Sequence, residues 1–272
     1  MSYTKKSEEK NRVALLVQYD GSHFNGWQIQ NKGRTVQGEI EKALEVLLKE
    51  KIRTTAAGRT DSGVHALGQV IHFDFSKDIS DISLQKLCIS LNGILEKDVA
   101  IKNAYIVPQS FHARFSAVQR EYLYIVYNHP QRNPFIIKRA MWVSYDLDMN
   151  FLHNISQYFI GEKDFASFCK KESTEENTKN TVRRIDEFEV TKNKEFIFFR
   201  IRGTAFLHNM VRIIIGTILD IYNKNKFPGY VLEILEQKDR NASGKTAPAY
   251  GLYLNQIIYD PPLSAMKSAY LS

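Results

Sequence analysis

The run Ala57-Gly58-Arg59-Thr60-Asp61-Ser62-Gly63-Val64-His65-Ala66 is the densest group of chemistry-bearing residues in the chain. Glycines on both sides let the backbone turn tightly and approach a ligand closely. Asp61 stands two residues from Arg59, and a nearby guanidinium favours the ionised carboxylate. A charged carboxylate that its own turn does not consume can act as a nucleophile or general base. The same residues also suit an Asx-turn, in which Asp61 bonds the backbone two residues on and Arg59 is merely solvated.

Two further segments carry polar groups in suggestive patterns. In Arg120-Glu121-Tyr122-Leu123-Tyr124-Ile125-Val126-Tyr127, strand alternation puts Arg120, Tyr122, Tyr124 and Val126 on one face. A cation beside a row of aromatics is a surface on which an extruded base can stack, and equally an ordinary core strand. In Phe206-Leu207-His208-Asn209-Met210-Val211-Arg212, His208 and Arg212 are four apart and share a helical face beside an apolar stripe. From there Arg212 can reach inward to a carboxylate or remain at the surface. No His, Cys, Asp and Glu cluster has metal-ligand spacing, and neither a phosphate-binding G-x-x-x-x-G-K-[ST] nor a strand-borne G-x-G-x-x-G occurs. No metal or cofactor is therefore expected. Ser62 lies outside any G-x-S-x-G elbow, which disfavours a serine hydrolase.

The surrounding elements fall into two similar halves. Strand Val13 to Asp20, a helix whose face carries Val36, Ile40, Ala43, Leu44, Leu47 and Leu48 behind the N-cap Thr35, and strands Ile52 to Ala57 and Gln69 to Phe75 open the first. A second helix after Ser83, with Leu84, Leu87, Cys88, Leu91, Ile94 and Leu95 on one face, and strand Val99 to Val107 complete it. The order β-α-β-β-α-β is ferredoxin-like. The second half repeats it with strand Val118 to Tyr127, a helix over about Met149 to Phe159, and strands Val182 to Val190 and Glu195 to Arg202 about a Lys192-Asn193 turn. A helix striped by Leu207, Met210, Val211, Ile214, Ile215, Ile218 and Leu219, a short helix at Tyr230 to Gln237 and a strand from Leu252 to Tyr259 follow. The expected class is α+β: two ferredoxin-like halves joined into one extended, mainly antiparallel sheet, helices on one side, with a central cleft. Residues 1–11 are expected to be a flexible N-terminus, 12–110 the half carrying Asp61, 111–262 the second half and 263–272 a tail. The polar, aperiodic Lys170 to Lys179 reads as a mobile surface loop.

A net charge of +7 over 272 residues favours an anionic partner without choosing among nucleic acid, membrane and acidic metabolites. The two cysteines, Cys88 and Cys169, form no C-x-x-C pair and read as buried thiols of a reducing compartment. No apolar run reaches the roughly 18 residues of a membrane span, and the opening MSYTKKSEEKNR lacks the apolar segment of a secretory signal. The expected location is cytoplasmic.

Taken together, the ordered segments QYDGSHFNGWQIQ, AAGRTDSGVHALGQV, SFHARFSAVQREYLY, GEKDFASF, GTAFLHNMVR and APAYGLYL resemble the tRNA pseudouridine synthase A family over nearly the whole chain after residue 12. The resemblance implies the pseudouridine synthase fold and a cofactor-free isomerisation of uridine in tRNA: the N1–C1′ bond breaks, the uracil rotates, and C5 joins C1′. It implies Asp61 as the catalytic nucleophile and Arg59 as the residue that helps extrude the target nucleotide and fills its place. Tyr122 would stack on the flipped base and assist proton removal, Arg212 would pair with Asp61, and Leu252 would give the uracil pocket an apolar wall. The implied substrate is uridines 38 to 40 of the anticodon stem-loop, bound by a homodimer with no membrane association. Attack at C1′, attack at C6 and assisted elimination to a glycal remain open as routes.

The chemistry agrees with these transfers, since a stacked uridine must leave its helix at a cost of about a few kcal/mol, which an Arg wedge and a Tyr platform can offset. Glu121 departs from the family pattern where a second basic residue is expected, so phosphate contact there should be weaker. Two other functions compete. A non-catalytic RNA-binding module would use the same aromatic sheet, but the RNP1 consensus is missing. A nucleoside glycosidase would want two carboxylates, and Asp61 stands alone.

Overall fold

Alternation of apolar residues sets the strands and their register, and capped amphipathic stretches set the helices between them. The computed structural model describes residues 11–76, 83–170 and 180–270. Among them are ten strands and five α-helices, with mainly antiparallel pairing, so the chain is α+β. It divides into two compact units, residues 1–60, 66–118 and 257–272 forming the first, and 61–65 with 119–256 the second.

In the first unit, β1 (Asn11–Tyr19) lies between β3 (His65–Phe75) and β4 (Val99–Val107), antiparallel to both, and β2 (Thr55–Ala56) adds to β3. Val13 pairs with Phe73 and Leu15 with Ile71, all buried. The helices α1 (Val36–Leu48) and α2 (Leu84–Ile94) begin at caps that use up orphan N–H groups: Thr35 accepts from Gly38 N–H and Ser83 from Lys86 N–H. Their apolar faces, Val36, Ile40, Ala43 and Leu44 on α1 and Leu84, Leu87, Cys88 and Leu91 on α2, are buried. The element order is the expected β-α-β-β-α-β. Near the C-terminus, Ile106 N–H donates to Lys267 O and Ala269 N–H to Ala104 O, so this segment covers an edge of β4 that would otherwise expose unpaired backbone.

In the second unit the strands run in the order β5 (Ala117–Asn128), β9 (Phe196–Gly203), β8 (Val182–Asn193), β7 (Gly161–Asp164), antiparallel throughout. The short β6 (Met141–Val143) pairs parallel to β5. Helices α3 (Met149–Gln157), α4 (Met210–Asn223) and α5 (Tyr230–Gln237) pack into a core of Phe159, Phe165, Phe168, Phe199, Ile214 and Ile218 among others. The final strand β10 (Leu252–Tyr259) belongs to the second unit up to Gln256 and to the first from Ile257.

Several boundaries differ from the sequence reading. β2 is two residues long rather than six, and β3 starts at His65 because Leu67 and Gly68 interrupt the apolar alternation without ending the pairing. The β8–β9 hairpin turns at Lys194-Glu195, two residues after the expected turn, with Lys194 taking the positive φ. β6 is only three residues long and β7 carries no apolar alternation, so neither shows in the sequence. The expected flexible N-terminus and the Lys170 to Lys179 loop fall almost wholly outside the described residues. Both cysteines are buried free thiols, and burial pushes Cys88 up to about 11. Among the described residues, no helix is long and apolar enough to cross a membrane.

Glu121, the departure noted on β5, has a structural employment. It is 3% exposed and accepts from Arg202 Nη2 at 2.7 Å, Arg202 Nε at 3.0 Å, Arg200 Nη1 at 3.3 Å and Asn255 Nδ2 at 2.6 Å. The carboxylate thus ties β5 to β9 and β10 inside the second unit. Burial works against its charge, but the hydrogen bonds from Arg202 and Asn255 outweigh burial and hold its pKa below the ordinary 4.5. A depressed folded-state pKa gives stability that is complete above the unfolded value and disappears as pH falls through the folded one. We expect Glu121→Gln to cost about 3 kcal/mol at pH 7, as for a broken buried ion pair. In urea unfolding, the gap between wild type and variant should shrink as pH is lowered from 7 to below 4.5.

Candidate active site

The loop that follows β2 is anchored before it reaches its carboxylate. Ala57 N–H donates to Val70 O at 2.8 Å, Gln69 Nε2 to Gly58 O at 2.6 Å and Trp27 N–H to Thr60 O at 3.0 Å. The Thr60 and Tyr19 hydroxyls share a hydrogen bond at 2.7 Å. Every one of these contacts lies in the first unit, and Arg59, between the anchored Gly58 and Thr60, keeps its side chain exposed. The second unit begins at Asp61. Asp61 O accepts from Val64 N–H at 3.1 Å, and Gly63 takes φ +81°, the sign a type II turn needs at its third position. A Cβ on Gly63 would also meet Ala249 Cβ at 3.3 Å. Asp61 therefore closes its turn with its backbone carbonyl, which leaves the carboxylate for other partners.

Those partners come from 147 and 151 positions further along the chain. His208 Nε2 lies 3.2 Å from Asp61 Oδ1, and Arg212 Nη1 lies 3.4 Å from Oδ2. The aspartate side chain is 33% exposed, so solvent or a ligand reaches it. Each carboxylate oxygen retains acceptor capacity beyond its single partner. Arg212 is itself fixed, its Nε donating to Ala247 O at 2.8 Å and its Nη1 to Asn209 Oδ1 at 2.6 Å. At 3.4 Å the Arg212–Asp61 hydrogen bond is long, so the pair is held mainly by charge and by the bonds that immobilise the guanidinium.

The way His208 arrives is a correction to the sequence reading. Asn209 adopts a left-handed conformation with φ +60°, which asparagine tolerates better than most residues, and α4 starts only at Met210. Leu207 and His208 thus precede the helix instead of lying on it. The imidazole meets the carboxylate from the turn that Met210 N–H closes on Leu207 O, while Arg212 meets it from the first turn of the helix. Spacing in HNMVR suggested that the two side chains act on one side, but no pattern in the sequence announces the left-handed residue between them.

On β5, Tyr122 packs edge-on against Phe206, ring centroids 5.0 Å apart. Burial pushes its phenol up to about 12, opposed by the Arg120 charge and reinforced by that of Asp61. The hydroxyl stays protonated at neutral pH. Tyr124, two residues on, is fully buried and donates to Pro248 O at 2.9 Å, so it belongs to the core. Gly251 permits that packing, because a Cβ there would stand 2.6 Å from the Tyr124 ring. Leu252 follows it at the head of β10 and is buried in the core of the second unit. Asp61, His208, Arg212 and Tyr122 are thus gathered within one unit.

Comparison with known proteins identifies the family. The sequence profile described as tRNA pseudouridine synthase matches residues 15–116 and 155–260. The chain is 44% identical over 253 residues to tRNA pseudouridine synthase A of Bacillus licheniformis and 45% identical over 253 residues to that of Bacillus subtilis, each time covering 92% of this chain and 99% of the relative. The enzyme of the same name from Brachyspira hyodysenteriae is 42% identical, with 92% and 98% covered. Among solved structures, a chain of a Cbf5-Nop10-Gar1 complex aligns with 89% of this chain and 57% of its own, at 12% identity and a TM-score of 0.35, too slight a likeness to add to the fold. The chain belongs to the tRNA pseudouridine synthase family, isomerases that convert uridine to pseudouridine in tRNA.

Behind the clamp, the segment 244–247 lies so close to α4 that a Cβ on Gly216 would stand 1.7 Å from Lys245 O. Gly244 N–H donates to Thr217 Oγ1 at 2.9 Å and Ala247 N–H to Arg212 O at 3.0 Å. Gly216→Ala should push this segment off the helix and take the Ala247 acceptor away from Arg212. We expect a stability loss of about 2–3 kcal/mol from overpacking. At a temperature where the variant remains folded, turnover on tRNA should also fall by about 10-fold or more, a loss of the kind small displacements of positioned groups produce. Thermal melting and single-turnover assays read the two effects separately.

Proposed function

We propose that Asp61 is the nucleophile of a tRNA uridine isomerase acting at uridines 38, 39 and 40 of the anticodon stem-loop. The observation that carries the reading is the carboxylate itself: partly exposed, free of its own turn, and flanked by Arg212 at 3.4 Å and His208 at 3.2 Å. A uridine within a stem cannot present C1′ or its base edge, so the target nucleotide must be flipped out. Arg59, exposed and two residues before Asp61, is suited to fill the vacated stack.

The reaction needs no external reagent. The N1–C1′ bond breaks, the uracil turns, the C5–C1′ bond forms, the proton on C5 leaves and N1 ends protonated. A carboxylate with a remaining lone pair on each oxygen serves attack at C1′, attack at C6 or departure to a glycal alike. Tyr122 is best suited to stacking on the extruded base. With its phenol at about 12 it acts as a neutral hydrogen-bonding group, and proton removal from C5 by a preformed phenolate is disfavoured. Leu252, apolar and ahead of the Asn255 that binds Glu121, is the proposed wall of the uracil pocket. The reading includes a cytoplasmic homodimer with both subunits contacting one tRNA.

The test is release of tritium from tRNA labelled at uracil C5. Wild type should release label, while Asp61→Asn should lose turnover by at least about 10⁴-fold yet still bind tRNA. Normal turnover by Asp61→Asn would overturn the assignment.

A further inference from the structure

The turn at 112–116, between β4 and β5, holds an exposed aromatic on an unusually firm base. Phe115 is 76% exposed. His112 Nδ1 accepts from both Arg114 N–H and Phe115 N–H, at 3.2 and 3.3 Å. His112 N–H donates to Ser116 Oγ, and Ser116 N–H returns a bond to His112 O, both at 2.9 Å. Ala113 N–H donates to His72 Nδ1 at 3.1 Å, and Ala113 O accepts from the Tyr259 hydroxyl at 2.7 Å. Arg12 Nη1 donates to Phe111 O at 2.7 Å. Burial lowers His72 to about 4 and also lowers His112, so both Nδ1 atoms remain acceptors at neutral pH.

The rings continue this order outward. His72 meets His112 edge-on at 4.9 Å, and His112 lies against Phe115 at 4.3 Å with their planes 33° apart. The Arg114 guanidinium stands over the Phe115 ring, 5.6 Å from its centre. An apolar ring fixed in water gains nothing for the folded chain by its exposure, whereas a partner binding it finds little motion left to freeze. An unpaired nucleobase offers a π-face of matching size, and the phosphate beside it suits a guanidinium.

We infer that Phe115 is a stacking platform for an unpaired base of the tRNA, distinct from the base that is isomerised, with Arg114 taking an adjoining phosphate. The inference rests on tRNA being the substrate and adds a second point of contact. Aromatic and cation sit in the first unit, five and six residues before the start of the Tyr122 face at Arg120. Protein docking would favour a broader apolar patch, whereas this side chain is flanked by a cation and an imidazole.

The experiment compares wild type, Phe115→Ala, Phe115→Leu and Phe115→Trp on an unmodified tRNA transcript, measuring Kd by filter binding and pseudouridine formation at steady state. Phe115→Ala should raise Kd and KM by about 5- to 100-fold, the range for loss of one stacked base, with kcat changed by less than about 2-fold. Phe115→Trp should bind within about 3-fold of wild type and Phe115→Leu should resemble the alanine variant, because stacking needs a π-face. Abasic substitutions along the unpaired nucleotides should reveal one position at which wild type and Phe115→Ala bind equally. Arg114→Gln should lower the slope of log Kd against log salt by about one. Unchanged Kd in Phe115→Ala, tight binding by Phe115→Leu, or a shift in oligomeric mass in place of tRNA affinity would each overturn the inference. Melting curves confirm that each variant is folded, and Phe115→Leu preserves the comparison if alanine loosens the turn. Failure of the wild type to bind or convert the transcript would instead reject the substrate assignment.

Discussion

Within the second unit, the Asp61 carboxylate is held between an imidazole on one oxygen and a guanidinium on the other. The requirement is demanding because the partners come from opposite kinds of backbone. Asp61 sits on a tight turn closed by Gly63, while Arg212 sits on the first turn of a helix that is buried almost all round. Neither would hold the other without a third support. Ala247 O and Asn209 Oδ1 supply it by taking up two of the guanidinium's donors, so its direction is settled before the carboxylate is considered. Gly216 and Gly244 contribute the absence of side chains that would keep the supporting segment away.

The strand β5 shows how one run of sequence serves chemistry and architecture at once. Period-two alternation sends Tyr122 and Tyr124 to the same side, yet they part in role within two residues. Tyr124 disappears under Gly251 and bonds to Pro248, while Tyr122 remains part-covered next to Phe206. Glu121, facing the other way, replaces a missing positive charge with a buried negative one that draws Arg200, Arg202 and Asn255 together. The residue at which weaker phosphate contact is expected is thus also a cross-strand tie.

Much of this was legible before any coordinates. Helical spacing located α1, α2, α3 and α5 to within about two residues, and for α1 and α2 the caps Thr35 and Ser83 are local chemistry. The order of elements in the first unit followed from pattern alone. Asp61 stood out by composition of its loop and Arg212 by its place on an apolar helix. What could not be read were features set by distant contacts. The start of α4 depends on Asn209 entering left-handed space, and β6 and β7 exist because β5 and β8 offer them backbone partners. The Glu121 network joins residues up to 134 positions apart, and no local rule announces such a pairing.

The distance in sequence between Asp61 and its supports has a consequence for biosynthesis. The loop with the aspartate leaves the ribosome before Arg212, which gains its backbone acceptor only when Ala247 follows. Until then the acidic group lacks its fixed guanidinium. A nascent or truncated polypeptide can therefore display the whole GRTDSG motif without the guanidinium fixed beside its carboxylate.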